Sequence, residues 1–370
     1  MNQKEPVIIV GAGLSGLRAA SLLTEQGIEC IILETRDRIG GRVLSEKVQG
    51  RPELGSFDLG PTWFWPEHEP TISALVEALK LKTFAQYTAG LMLSERSRNE
   101  VPQKLLLPDG AIAFSLRFDG GVQALIDAVA GILPEGIVQL NSRVLSIHQV
   151  DRDSIIIEIS GRSESIRARA VVVALPPRLV SRTIAFAPEL DTELQRSMVA
   201  KPTWMAAQAK VVIVYERPFW REKGLSGFVS SWVGPLQEIH DASPETGAGA
   251  LFGFFGMHAS MRHELGKLRV KEMVVEQLVR LFGSAAAEEH MVAFLYKDWF
   301  ADAATAVEED GEPMRDFPKY GPLHVGNDWA QKIFFAGTET VAEQGGHLEA
   351  ALRSAERAAA DVVRVLNELG

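Results

Sequence analysis

The 370-residue chain has one cysteine, Cys30, which excludes an intramolecular disulfide. Cys30 lies in an apolar run and reads as a small buried hydrophobe rather than a redox thiol. Basic charge is in short supply. The chain carries 38 Lys and Arg against 48 Asp and Glu, a net charge of −10. No basic run or stripe exists to track a phosphate backbone, so nucleic acid is excluded as a partner. No stretch approaches the ~20 apolar residues of a membrane helix, and no membrane anchor is expected. The N-terminus runs straight into a strand-like segment without a secretory signal pattern, so a cytoplasmic location is expected. The histidines are scattered and no cysteine pair exists, so no metal site is expected. A nucleophile elbow for Ser-His-Asp hydrolysis is also missing. Hydrophobic residues make up 46% and charged residues 23%, ordinary for a globular chain long enough for two or three domains.

Against these absences stands a dense N-terminal signal. Val7-Ile8-Ile9-Val10 is all apolar, as a strand buried on both faces should be. Gly11-Ala12-Gly13-Leu14-Ser15-Gly16 follows, a GxGxxG turn that brings backbone N–H groups against a pyrophosphate at a helix N-terminus. Leu14, Leu17, Ala20 and Leu23 give that helix a buried stripe, and Gly27 ends it. Ile28 to Leu33 reads as the next strand, with Glu34 at its tip placed to accept hydrogen bonds from ribose hydroxyls. An acid there disfavours a 2′-phosphate.

Further along, Pro70 opens a helix through Ile72, Leu75, Val76 and Leu79. Gly120-Gly121 precedes another, with Val122, Leu125, Ile126 and Val129 on one face. Val138–Val150 and Ser154–Ile159 read as strands of a hairpin turning at Asp151-Arg152-Asp153. Ile166–Ala174 continues into a buried strand ended by Pro176-Pro177. Lys210–Glu216 and Leu251–Phe255 read as strands, and Val270–Phe282 as an amphipathic helix. Trp204 and Trp299 belong equally to a pocket wall or to the core. Ile333–Gly337 is a strand entering a glycine turn. Gly345-Gly346-His347 then precedes a long helix striped by Leu348, Leu352, Ala355, Ala359, Val362 and Leu366.

These pieces together resemble the flavin-containing amine oxidase family. The matching segments are Val7–Gly16, Glu34–Arg42, Gly120-Gly121, Val171–Pro177, Trp204, Val211–Trp220, Trp299, Phe334–Thr340 and Gly346–Glu349. The resemblance implies an α/β fold: a Rossmann-like FAD-binding domain of the GxGxxG type, with an interleaved α+β substrate domain. The FAD domain would take 1–70, 136–190 and 320–370, and the substrate domain 71–135 and 191–319. Glu34 would hold the adenosine ribose. Gly11, Gly13, Leu14, Ser15, Gly16, Arg36, Gly41 and Arg42 would surround the pyrophosphate, the backbone around Gly13 to Ser15 and the side chain of Arg42 facing it. Val144 would meet the adenine through its backbone. Gly60 and Trp63 would approach the flavin, Glu339 would hold the ribityl chain or a phosphate-side hydroxyl, and Gly337, Gly346 and Leu348 would lie at the flavin. The implied reaction removes a hydride from an amine or amino-acid-like substrate to non-covalently bound FAD, with molecular oxygen as acceptor. Flavin desaturases of apolar substrates share the N-terminal motif. The modest length and missing membrane-binding tail argue against that reading. Non-catalytic binding proteins reuse the fold, but the late Phe-Ala-Gly-Thr-Glu-Thr run argues for a retained flavin.

Three departures alter the substrate end. Many members carry a lysine after the strand that is here Leu251–Phe255. No lysine occurs between Lys223 and Lys267, and Lys210, on another strand, reads as structural. Residues 300–320 contain no cysteine to tether a flavin. Of two facing tyrosines in monoamine oxidases, the later falls on His347 and the earlier near Glu308-Glu309. His347 is thus either an active-site group or a packing residue at a helix start. As a cation it would repel an ammonium substrate, so weak turnover of simple aryl-alkyl amines is expected.

Overall fold

Five short strands from four distant parts of the chain form one parallel sheet. The computed structural model describes residues 5–150, 154–283, 285–312, 314 and 316–368. The strand order across the sheet is Ile333–Phe335, Ala170–Val173, Val7–Val10, Cys30–Leu33 and Val138–Gln139. Val7 pairs with both Ala170 and Cys30, and Val171 pairs with Ile333. Side chains alternate across a strand, so one tetrapeptide feeds two cores. Val7 and Ile9 pack on the Leu14–Glu25 and Leu348–Glu368 helices, whereas Ile8 and Val10 pack toward a four-stranded sheet. That second sheet has the order Ile166–Ala168, Ile155–Ile159, Val144–Gln149 and Ala185–Ala187.

Two expected strands are each divided between the sheets. Val138–Gln139 joins the parallel sheet and Val144–Gln149 the other. The break falls at Asn141, with φ +53, where Asn141 N donates to Arg36 O and Ser142 N to Glu34 O. Ile166–Ala168 and Ala170–Val173 divide in the same way. A continuous apolar pattern does not reveal such a change of sheet, because both environments are buried. The turn at 151–153 lies outside the described residues.

A seven-stranded sheet forms the rest of the scaffold. Its order is Met291–Asp298, Ala209–Tyr215, Gly249–Phe255, Leu236–Asp241, Leu225–Ser231, Leu91–Glu95 and Gln103–Leu105. The Ala259–Phe282 helix covers one face through Val270, Val274 and Leu278. It starts before the expected Val270 and bends at Gly266, with φ +71. The opposite face presents Val212, Val214 and Phe252 to Phe57 and Leu59. Among the described residues, no helix is long and apolar enough to cross a membrane.

Gly16 is fixed by packing rather than by a ligand. A Cβ there would lie 1.9 Å from Gly11 O, so the strand and helix touch through bare backbone. Gly16→Ala is expected to destabilise by about 1–3 kcal/mol through overpacking. Gly131→Ala, in a helix with no neighbour within 4 Å, should be neutral or stabilising. Urea melts of the two variants test this. A Gly16→Ala midpoint equal to the wild type would show that the contact relaxes freely.

Candidate active site

The carboxyl ends of the parallel strands open into one cavity of about 400 Å³. Gly11, Glu34, Ala174 and Gly337, each just past a strand, line it. Ligands of open parallel sheets bind at such an edge, where the strands end and helices begin. The Leu14–Glu25 helix starts at this wall, and its N-cap, Gly13, supplies no side-chain cap. Its first-turn N–H groups are therefore available to an anion. A Cβ on Gly13 would meet no protein atom closer than 3.9 Å. Protein packing does not demand glycine here, so the bare backbone keeps the groove open for a ligand.

Glu34 is 2% exposed and its carboxylate is locked by backbone. Oε2 accepts from Ala12 N at 2.8 Å and Oε1 from Arg36 N at 2.9 Å. Each oxygen retains a lone pair for a hydroxyl donor. Arg36 donates to Asp302 and Thr305, joining this end to the segment that follows the Met291–Asp298 strand. The groove thus fits a dinucleotide with free ribose hydroxyls.

Arg42 and Glu339 form a two-bond pair at 2.6 and 3.0 Å. Glu339 is fully buried and also accepts from Trp204 N. It does not reach the cavity wall. Arg42 does, and Glu339 holds Arg42 and the Trp204 backbone in place. Gly16 and Val144 also lie off the wall. Val144 is a buried strand residue packed with Leu33 in the second core. Gly11, Gly13, Leu14, Ser15, Arg36, Gly41, Gly60, Gly337, Gly346 and Leu348 all line the cavity.

The far end is aromatic. Trp63, Trp65, Trp204, Trp299, Phe252 and Phe254 contribute to its wall. Trp299 serves as both wall and core: it is 6% exposed and its Nε1 donates to Leu59 O at 2.9 Å. Trp204 packs flat over Gly346, where a Cβ would come within 2.5 Å of its ring. The sequence signal for Trp65 was the dense Trp63-Phe64-Trp65 run after a glycine turn. Nothing local marked Phe252 or Phe254 as cavity residues.

Lys210, a structural residue by its sequence context, lies at the cavity wall. Its side chain is buried, donates to Gly60 O at 2.8 Å and to Thr62 Oγ1, and sits 4.1 Å over the Phe252 ring. Alternation along the Ala209–Tyr215 strand turns it inward. Burial pushes its ammonium down to about 7, with Asp58 opposing and Arg117 reinforcing the shift.

His347 lines the cavity between two indoles. Its ring stacks on Trp65 at 5.5 Å and lies 6.4 Å from Trp204. Its Nδ1 is 3.1 Å from Glu69 Oε1. Glu69 is 2% exposed and accepts from Trp65 N through Oε2. It stands at the N-cap of the Pro70–Ala78 helix but makes no cap bond. Glu349 does that work, accepting from Thr71 N and Ile72 N at 3.1 and 2.8 Å. Glu69 is therefore free to face the cavity. The sequence leaves His347 as an active-site or a packing group; it lines the cavity, and a carboxylate that the sequence does not reveal lies against it.

The Lys210 shift has a measurable consequence. Its ammonium titrates near 7 in the folded protein and near 10.5 when exposed. Between those values the unfolded chain binds more protons, so stability rises with pH. Lys210→Met should remove that rise, and the Tm difference between wild type and variant should change across the window. A pH-independent difference in thermal melts would show that the ammonium is not desolvated.

The profile of the family described as flavin containing amine oxidoreductase matches residues 94–363, and that of an NAD(P)-binding Rossmann-like domain matches residues 9–79. Putrescine oxidase of Kocuria rosea is 26% identical, covering 96% of this chain and 95% of its own. Human flavin-containing amine oxidase B is 24% identical over all of this chain and 88% of its own. The solved structure of wild-type putrescine oxidase bound to putrescine superposes with a TM-score of 0.81, at 22% identity, over 98% of this chain and 99% of that one. The cavity fits a dinucleotide and the matches run end to end, and this chain belongs to the flavin-containing amine oxidoreductase family as an FAD-dependent enzyme with a Rossmann-like nucleotide-binding fold.

Proposed function

We propose that the chain oxidises small amines in the aromatic end of the cavity, with FAD held non-covalently along the groove from Glu34 to Leu348. The observation that carries this reading is one continuous cavity, with a dinucleotide-type wall at one end and tryptophans, Lys210 and a Glu69–His347 pair at the other. FAD, when bound, supplies the two-electron acceptor for a hydride leaving the carbon next to a neutral amine. Molecular oxygen is the proposed final acceptor.

Glu34 would receive the ribose hydroxyls, and the first-turn amides of the Leu14–Glu25 helix would receive the pyrophosphate. The Leu348–Glu368 helix begins at the cavity wall, and its positive N-terminal end would favour negative charge on a cofactor held there. Trp63, Trp65 and Trp204 exclude water and hold an ammonium by their faces. Lys210 keeps the Gly60–Thr62 turn in place and presents an amine that changes charge near neutrality. The proposed division is a cofactor unit of 1–70, 136–190 and 320–370 and a substrate unit of 71–135 and 191–319. The parallel-sheet strands fall in the first set.

Anaerobic mixing of the yellow protein with benzylamine, putrescine and cyclohexylamine should bleach the flavin with at least one of them. No bleaching by any amine would overturn the reading. Acid precipitation should leave the yellow colour in the supernatant, whereas colour remaining with the polypeptide would refute non-covalent binding. Glu34→Ala removes a charged acceptor, and FAD affinity of the apo-protein should fall by about 1.5–3 kcal/mol. An unchanged titration would refute the ribose assignment.

A further inference from the structure

Amines of this type reach a neutral site mostly as ammonium ions, since an alkylammonium titrates near ~10.4. Hydride removal needs the neutral amine, so a proton must leave first. The aromatic walls offer no acceptor, and their stacked faces hold the charged form.

His347 has the geometry to take that proton. A carboxylate accepts hydrogen bonds and does not donate them, so contact with Glu69 Oε1 places the imidazole hydrogen on Nδ1. Nε2 then carries the lone pair. Among the described residues, Nε2 has no protein hydrogen-bond partner, and the side chain is 32% exposed at the cavity wall. The backbone is pinned as well: His347 N donates to Gln344 O, and His347 O accepts from Thr338 Oγ1.

The surrounding charges are committed elsewhere. Glu349 caps the Pro70–Ala78 helix and Arg42 is paired with Glu339; Lys210, which titrates near 7, is held by Gly60 O and Thr62 Oγ1, and Lys210→Met separates its titration from that of the imidazole. Glu67 and His68 are exposed, and Glu343 is exposed and paired with Arg353. Among the described residues, only the Glu69 carboxylate is in hydrogen-bond contact with the imidazole.

Resting on the amine-oxidation reading above, we propose that His347 Nε2 is the proton acceptor that neutralises the substrate ammonium, with Glu69 as its positioning residue. The ammonium N–H bond breaks with its electron pair left on nitrogen, and the proton forms an Nε2–H bond. The imidazolium is compensated by Glu69 at Nδ1 and returns the proton to water once the amine has reacted. Glu69 also fixes the tautomer. A glutamine there can donate its N–H to Nδ1 and reverse the roles of the two ring nitrogens.

The test uses the FAD-loaded protein under anaerobic conditions, with the same three amines, from about pH 6 to about pH 10. For the wild type, the second-order rate of flavin reduction should be nearly flat from the amine's own pKa down to about pH 7.5, and should fall only below that, where an imidazole, which titrates near ~6.5 unperturbed, is already protonated and cannot accept. In His347→Phe, which keeps a ring against Trp65, it should fall about tenfold per pH unit below the amine's pKa, as the neutral amine becomes scarce. Near pH 10 the two proteins should agree within a few-fold. Glu69→Gln should follow the His347→Phe profile. Independently of turnover, histidine 15N shifts of the oxidised holoprotein should show His347 protonated at Nδ1 and bare at Nε2, and Glu69→Gln should lose that state.

A flat profile in His347→Phe, or a loss equal at every pH, would overturn the proposal and leave amine oxidation standing. A wild type with the proton on Nε2 would overturn it likewise. Failure of all three amines to reduce the wild-type flavin would overturn both readings together.

Discussion

Three polar groups from opposite ends of the chain meet at one point, and the cavity depends on their meeting. Gly337 N donates to both Ser15 Oγ and Ser354 Oγ, at 3.0 and 2.9 Å, and the two hydroxyls lie 2.9 Å apart. Ser15 and Ser354 are buried on the first and last helices, and Gly337 ends the edge strand of the parallel sheet. A buried N–H left unmade here would cost on the order of 1–3 kcal/mol, so the knot holds both helices to one depth. That depth brings both helix N-termini to the same cavity. The backbone contact of Gly11 with Gly16 sets the other coordinate, since any side chain at 16 would push the first helix off the strand.

From that point the charges sort themselves by cost. A buried ion is tolerated only when paired or bound by dipoles. Arg42 has Glu339, Arg178 has Asp310, Arg221 has Asp241, and Arg262 has Asp298. Each pair joins residues distant in sequence and turns a liability into a positional constraint. Two groups at the cavity escape this pattern. Lys210 has neutral oxygens and a ring face for company, and burial lowers its pKa accordingly. Glu69 has an imidazole and a backbone amide. Among the described residues these are the buried ionisable groups at the aromatic end without a permanent counter-ion, and proton chemistry has room there.

The cofactor half was legible because its motifs act through backbone. A glycine turn after an apolar strand, and an acid after the next strand, specify geometry over few residues, so Gly11, Gly13 and Glu34 could be placed from sequence alone. Glu339 lies off the wall because position in a motif does not tell which way a side chain turns, and Val144 lies off it as a buried strand residue of the second core. The substrate half was harder to read. Lys210 faces the cavity through strand parity, and parity is fixed only by which face of the seven-stranded sheet meets the cavity. Glu69 is not marked as a cavity group by any motif in the sequence, since nothing local shows that its carboxylate faces the cavity rather than the first turn of the Pro70–Ala78 helix. Its release depends on Glu349, 280 residues later in the chain.

That exchange of caps links the site to the fold. The Pro70–Ala78 helix needs an acceptor at its first turn, and the last helix supplies one from its own first turn. Glu349 follows His347 by two residues, so the segment that presents the imidazole also frees the carboxylate beneath it. An unpaired imidazolium among tryptophans would repel an ammonium. With Glu69 against Nδ1, the pair is neutral after taking a proton and carries one negative charge before. Such a charge cycle favours arrival of a cation and tolerates its conversion to a neutral amine. The charge of the imidazole is therefore set together with that of the acid at 69, and the two residues have to be read as one unit.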